Sequence, residues 1–104
     1  MLKKKNRLSN PRINSINSFA TKHFILKMGY NDLGKLRVAI NVSKKIDKKA
    51  VVRNKIKRTL ADLLYDRVKK LKKGLDLVFI AKKEMLHSNK EEIKKEIESI
   101  FTKI

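Results

Sequence analysis

Around residue 50 the spacing of apolar residues switches from every second position to every third or fourth, so a strand must hand over at once to a long helix. Leu36, Val38, Ile40 and Val42 alternate with Arg37, Ala39, Asn41 and Ser43, the pattern of a strand with one buried face. From Arg53 onward, Ile56, Leu60, Leu63, Leu64, Val68 and Leu71 share one side of a helical wheel. They predict an amphipathic helix of about five turns, closed by Gly74. The run Leu75–Ala81 (Leu-Asp-Leu-Val-Phe-Ile-Ala) then suits a central strand. Strand, helix and strand in that order make a crossover unit, for which a right-handed sense is the general rule.

The flanking segments complete a small α+β plan. Residues 1–9 are basic and polar and read as an N-terminal arm. Asn10 before Pro11 is a helix-start pair, and Ile13, Ile16, Phe19 and Ala20 recur at helical spacing, so a short helix is predicted at 11–20. Residues 23–28 read as a strand, and the turn chemistry of residues 29–34 predicts a hairpin into the alternating strand. Residues 44–49 form a basic loop, after which Ala50, Val51 and Val52 suit a short extra strand. Ser88 with Glu91 has the spacing of a capping box, opening a last helix whose stripe is Ile93, Ile97, Ile100, Phe101 and Ile104. The 104 residues fit one domain, a sheet of about four strands in mixed orientation packed with three helices.

Charge narrows the partners. Lys and Arg number 28 against 10 Asp and Glu, a net charge of +18, and the cations run from Lys3 to Lys103. So much like charge on a small domain is self-repulsive unless a polyanion neutralises it. Nucleic acid is the first candidate and an anionic membrane surface the second. The strand patterns argue against a membrane-surface helix. The absence of cysteine excludes disulfides and thiolate metal sites. No apolar run is long enough to cross a bilayer, and the basic N-terminus lacks a signal-peptide core, so the expected location is the cytoplasm.

The densest basic stretch is Ser43-Lys44-Lys45-Ile46-Asp47-Lys48-Lys49-Ala50-Val51-Val52-Arg53-Asn54-Lys55-Ile56-Lys57-Arg58. On the helical wheel Asn54, Lys55 and Arg58 lie opposite the apolar stripe, Lys57 on its flank and Arg53 nearer to it. Helices favour acids in the first turn, because the free N–H groups there form the positive end of the dipole. Here the helix starts with cations, an arrangement that disfavours the fold locally and suits phosphate oxygens.

This stretch, with its Arg-Asn-Lys-Ile-Lys-Arg core after an alternating strand, resembles the Arg-Asn-Arg box of the bacterial ribonuclease P protein subunit family. Lys4 to Leu8 (Lys-Lys-Asn-Arg-Leu) and the Asp-Leu-Val-Phe-Ile-Ala run at residues 76–81 are similar too. The resemblance implies a ribosomal protein S5 domain 2-like fold with a left-handed crossover, overriding the general rule. It implies a non-catalytic protein subunit of a ribonucleoprotein endonuclease, partnered with a catalytic RNA and acting on precursor tRNA to remove 5′ leaders. RNA contact is then expected from Arg53, Asn54, Lys55, Lys57, Arg58, Lys44, Lys45, Lys48, Lys49 and Arg7. A leader-binding cleft between the first helix and the sheet would draw on Phe19, Phe24, Lys27 and Arg37, although both phenylalanines also suit the core. Mg2+ would be held mainly by the RNA.

The chain departs from the family pattern at several positions. Lys55 replaces a second Arg and loses the planar fork. Ala61 stands where a further Arg often follows, and Ile13 and Lys27 stand where aromatics are common. Base stacking contributes about 1–3 kcal/mol per base, so leader affinity shifts toward charge here.

No protein nuclease site is legible. His23 and His87 fall on different elements, with His87 expected at the surface; the C-terminal glutamates are explained by pairing with Lys90, Lys94 and Lys95 within their helix. Asp76 reads as a turn or cap residue. A ribosomal or assembly protein fits the composition equally well, and only the box at 43–58 separates the two readings.

Overall fold

One strand of the sheet is apolar on both faces, and it takes the centre. This is β4 (Leu75–Ala81), which spans the same residues that the apolar run predicts. The computed structural model describes residues 17–31, 34–70, 74–87 and 89–103. Within them β1 (Asn17–Ala20), β2 (Phe24–Tyr30), β3 (Arg37–Asn41) and β4 form a four-stranded sheet in the order β1-β2-β4-β3. β2 pairs antiparallel with β1 and β4, whereas β3 runs parallel to β4, so the sheet is mixed. Helix α1 (Ala50–Lys70) connects the parallel pair, and a 3₁₀ turn (Lys83–His87) leads into α2 (Lys90–Phe101).

The register assigns each side chain to a face, because alternate residues of a strand point to opposite sides. Leu26, Met28, Val38, Leu77 and Phe79 share one face and join Leu60, Leu64, Ile93 and Ile97 in a single buried cluster. Phe24 and Phe79 meet there with ring centroids 5.2 Å apart. Both helices therefore cover this face, and α1 also touches β3 and α2. The other face carries Lys27, Val78, Ala39, Arg37 and Asn41; Val78 is buried but stands outside the main cluster.

Several expectations change. The hairpin predicted between β2 and β3 does not form, because β4 lies between them. The most apolar strand gains most from a neighbour on each side. Of the helix predicted at 11–20, residues Asn17–Ala20 are instead an edge strand on β2, and 11–16 lie outside the described residues, as does the basic arm at 1–9. Asn17 and Ser18 are weak helix formers, and pairing gives their backbone groups partners. The described residues thus contain two α-helices.

Ala50, Val51 and Val52 form no strand; they are the first turn of α1, and Val51 is 79% exposed. The cap of α2 is Asn89, whose side chain accepts from the Glu91 N–H at 2.8 Å, one residue later than the predicted box. Gly74 is not a left-handed helix cap. It is required by close approach: a Cβ there would stand 2.5 Å from the Asn31 carbonyl oxygen, and the Gly74 carbonyl accepts from the Asn31 N–H at 2.9 Å. The positive φ belongs to Gly34, at 64°.

Candidate nucleic-acid interface

Beyond Asn41 the chain leaves edge strand β3 and enters a tight basic loop ahead of α1. Ser43 shapes its first half: its Oγ accepts from the Lys45 N–H at 2.9 Å and its carbonyl from the Ile46 N–H at 3.0 Å. Ile46 folds inward, half-buried against the core. Asp47 shapes the second half, its Oδ1 accepting from the Lys49 N–H at 2.8 Å. With loop backbone and Ile46 committed inward, Lys44, Lys45, Lys48 and Lys49 are all exposed.

Helix α1 continues the same surface. Ile56, Leu60 and Leu64 bury its apolar stripe, which turns Asn54, Lys55, Lys57 and Arg58 outward. No acid occupies its first turn. Among the described residues none of Lys44, Lys45, Lys48, Lys49, Lys55, Lys57 and Arg58 takes part in an ion pair. Arg53 differs. It is half-buried, and its Nη1 donates to the Asp47 and Lys48 carbonyls at 3.1 Å each. Sequence spacing alone put Arg53 near the apolar side; the carbonyls that receive it are a property of the folded loop. Arg7 lies outside the described residues.

The four residues expected to share one cleft do not lie together. Phe24 is fully buried, so it is a core residue with no face to offer a base. Phe19 pairs opposite Leu26 on the helix-covered face, half-buried beside a groove shared with Lys95, Ser99 and Ile100 of α2. Lys27 and Arg37 belong to the opposite face, where Lys27 is exposed.

Arg37 is held by Asp76, its register partner on β4. Nε donates to Oδ1 and Nη2 to Oδ2, both at 2.7 Å, and Asn31 Nδ2 adds a bond to Oδ1 at 2.8 Å. Burial opposes ionisation of Asp76, but the bonds from Arg37 and Asn31, together with the Arg37 charge, outweigh it and hold the carboxyl below its ordinary range. The Asp76 bonds raise the Arg37 guanidinium further. Asp76 is therefore an interior ion-pair partner and not a turn or cap residue. An acid inside an apolar strand signals that a partner must exist; only the parallel register names it.

Three further acids are claimed across elements and not within α2. Glu96 accepts from the Lys22 N–H at 3.1 Å and stands 2.7 Å from His23 Nδ1, while Glu92 lies 3.7 Å from His23 Nε2. Glu98 faces Arg67 of α1 at 3.7 Å. His23 is thus a buried strut between β2 and α2, linked over a sequence separation too long for any local pattern to suggest; His87 is exposed. Among the described residues no three His, Asp or Glu side chains gather as a metal cage.

The class defined so far is a small, basic, helix-covered sheet protein with seven exposed cations, none in an ion pair, on one loop and one helix start. The family is fixed by comparison. Residues 2–104 match the model of the family Ribonuclease P. The chain is 33% identical to the ribonuclease P protein component of Bacillus pumilus (strain SAFR-032), covering 98% of this chain and 90% of that one. The RNase P protein from Staphylococcus aureus superposes with a TM-score of 0.72 at 25% identity, over 98% of this chain and 91% of that one. The RNase P protein from Thermotoga maritima has the same fold, with a TM-score of 0.73 at 24% identity over 85% of each chain. The chain belongs to the ribonuclease P protein family.

Proposed function

We propose that the chain is the protein subunit of ribonuclease P, binding a catalytic RNA and helping it remove 5′ leaders from precursor tRNA. The single observation that carries this reading is the row of exposed, unpaired cations running from Lys44 to Arg58. Ordinary surface lysines are interspersed with acids; here the one acid, Asp47, is turned onto the Lys49 N–H and forms no ion pair. Phosphate oxygens are the complementary partner, met by ammonium groups, the Arg58 fork and the free N–H groups at the start of α1. Asn54, exposed among them, supplies an uncharged donor and acceptor for sugar or base.

In this reading the protein performs no bond cleavage. It lowers the repulsion between two polyanions, the RNA subunit and the substrate, and so favours their association and the Mg2+ ions that we assign to RNA phosphates. The leader is taken to run along the sheet face opposite the helices, where Lys27 offers charge and Arg37 a fixed, partly neutralised guanidinium. Phe24 has no part in it. The family resemblance further implies a left-handed β3–α1–β4 crossover, and the basic N-terminal sequence leads us to expect the cytoplasm; among the described residues no helix is long and apolar enough to cross a membrane.

Reconstitution tests the proposal. The protein, a bacterial ribonuclease P RNA and a precursor tRNA are combined at low Mg2+, and leader removal is followed with and without protein. Strong stimulation is the expected result. Absence of stimulation, together with co-sedimentation with ribosomal particles, would replace this reading with that of an assembly protein.

A further inference from the structure

Arg53 is the one cation of the basic stretch whose side chain turns back onto the protein. Its Nη1 bonds to the Asp47 and Lys48 carbonyls, and its own N–H donates to the Lys49 carbonyl at 3.2 Å, so three consecutive loop carbonyls are gathered by one residue. That loop carries Lys44, Lys45, Lys48 and Lys49, four like charges that repel one another. Ser43 and Asp47 close the loop locally, but these bonds span at most three residues. Ile46 seats the first half of the loop on the core, and the Arg53 side chain ties its second half to α1. A cation here adds to the repulsion and opposes the helix dipole, so its position is explained by the acceptors it satisfies.

We propose that Arg53 is a positioning residue: its Nη1 is not spent on a phosphate but holds the loop in the one shape that presents its lysines as a preformed array. The inference rests on the RNA-binding reading above for its purpose, though not for its geometry. Preforming the array removes loop ordering from the entropy lost on binding. It also explains why an Arg is needed: the two N–H groups of Nη1 are held in one rigid plane and the guanidinium is weakly hydrated, whereas an ammonium is strongly hydrated and turns freely on its stem.

The test compares Arg53→Ala, Arg53→Lys and Lys57→Ala in the full chain. Amide hydrogen exchange of Ile46 and Lys49 is measured in the free protein, with β4 amides reporting the integrity of the fold. Arg53→Ala and Arg53→Lys should each speed exchange of the loop amides by about tenfold or more, while Lys57→Ala changes it less than about twofold. Arg53→Lys carries the test alone if Arg53→Ala fails to fold. In parallel, affinity for a ribonuclease P RNA should fall further with Arg53→Ala than with Lys57→Ala, and Arg53→Lys should not restore it. Unchanged loop exchange in both Arg53 variants, or full recovery of affinity by Arg53→Lys, would overturn the proposal and make Arg53 a simple phosphate ligand. If loop exchange rises but even the unaltered protein binds no RNA, the clamp stands and the functional reading above falls.

Discussion

Helices α1 and α2 start under opposite electrostatic rules. α2 is built for stability: Asn89 caps it, Glu91 and Glu92 occupy its first turn, and its apolar stripe of Ile93, Ile97, Ile100 and Phe101 is buried. α1 buries a comparable stripe, yet has no acid in its first turn and carries Arg53, Lys55, Lys57 and Arg58 within its first nine residues. Arg53 is accounted for by loop carbonyls, but Lys55, Lys57 and Arg58 oppose the dipole with no ion-pair partner among the described residues, charge that an outside polyanion would neutralise. The difference teaches that α2 completes the fold, while the start of α1 carries charge that the fold itself does not use, as the proposed RNA-binding role requires.

The sharpest way to break this contrast is salt. If α1 and its loop contact six to ten phosphates, affinity for the RNA subunit should drop by about 10³–10⁵ between 50 and 200 mM monovalent salt. A flat response in filter-binding titrations would remove the electrostatic basis of the interface. Replacing Lys57 and Arg58 together by Ala should weaken RNA binding by about tenfold to a hundredfold, whereas Lys94→Ala with Lys95→Ala on α2 should change it less than about threefold. Equal losses from both pairs would mean that only total charge matters.

Paired and unpaired cations should also separate in stability. Arg37→Ala leaves the buried Asp76 carboxylate with Asn31 but without its counter-charge, and should destabilise the protein by about 2–3 kcal/mol in urea unfolding. Asn89→Ala should cost about 1 kcal/mol through the lost cap of α2. Lys57→Ala should leave the melting temperature unchanged or slightly raised, because a cation near a helix start is unfavourable. A marked loss of stability there would mean that α1 needs its cations to fold.

The smallest effect concerns pH. Asp76 is held below its unfolded value, so its contribution to stability is fully present above the unfolded value of about 3.9 and is lost as pH falls through the lower folded value. Acid titration of stability should show this loss in the unaltered protein and a weaker one in Arg37→Ala. Identical acid limbs would mean that the pair contributes nothing.

The apolar periodicity determined most of the framework by itself. The strand at residues 36–42, the long helix, the strand at Leu75–Ala81 and the last helix are local patterns, each legible from spacing because burial of one face requires it. The basic box was legible for the same reason: four loop lysines and the exposed face of α1 follow from where the apolar stripe points. Tertiary structure alone decided the rest. Insertion of β4 between β2 and β3 depends on which strand gains most from two neighbours, a competition that no single segment encodes. Residues Asn17–Ala20 became a strand because β2 offered an edge. The partners of Asp76, His23 and Arg53 are set by register and loop closure, so the residue types announce a need for hydrogen bonds and only the fold supplies the acceptors and donors that meet it.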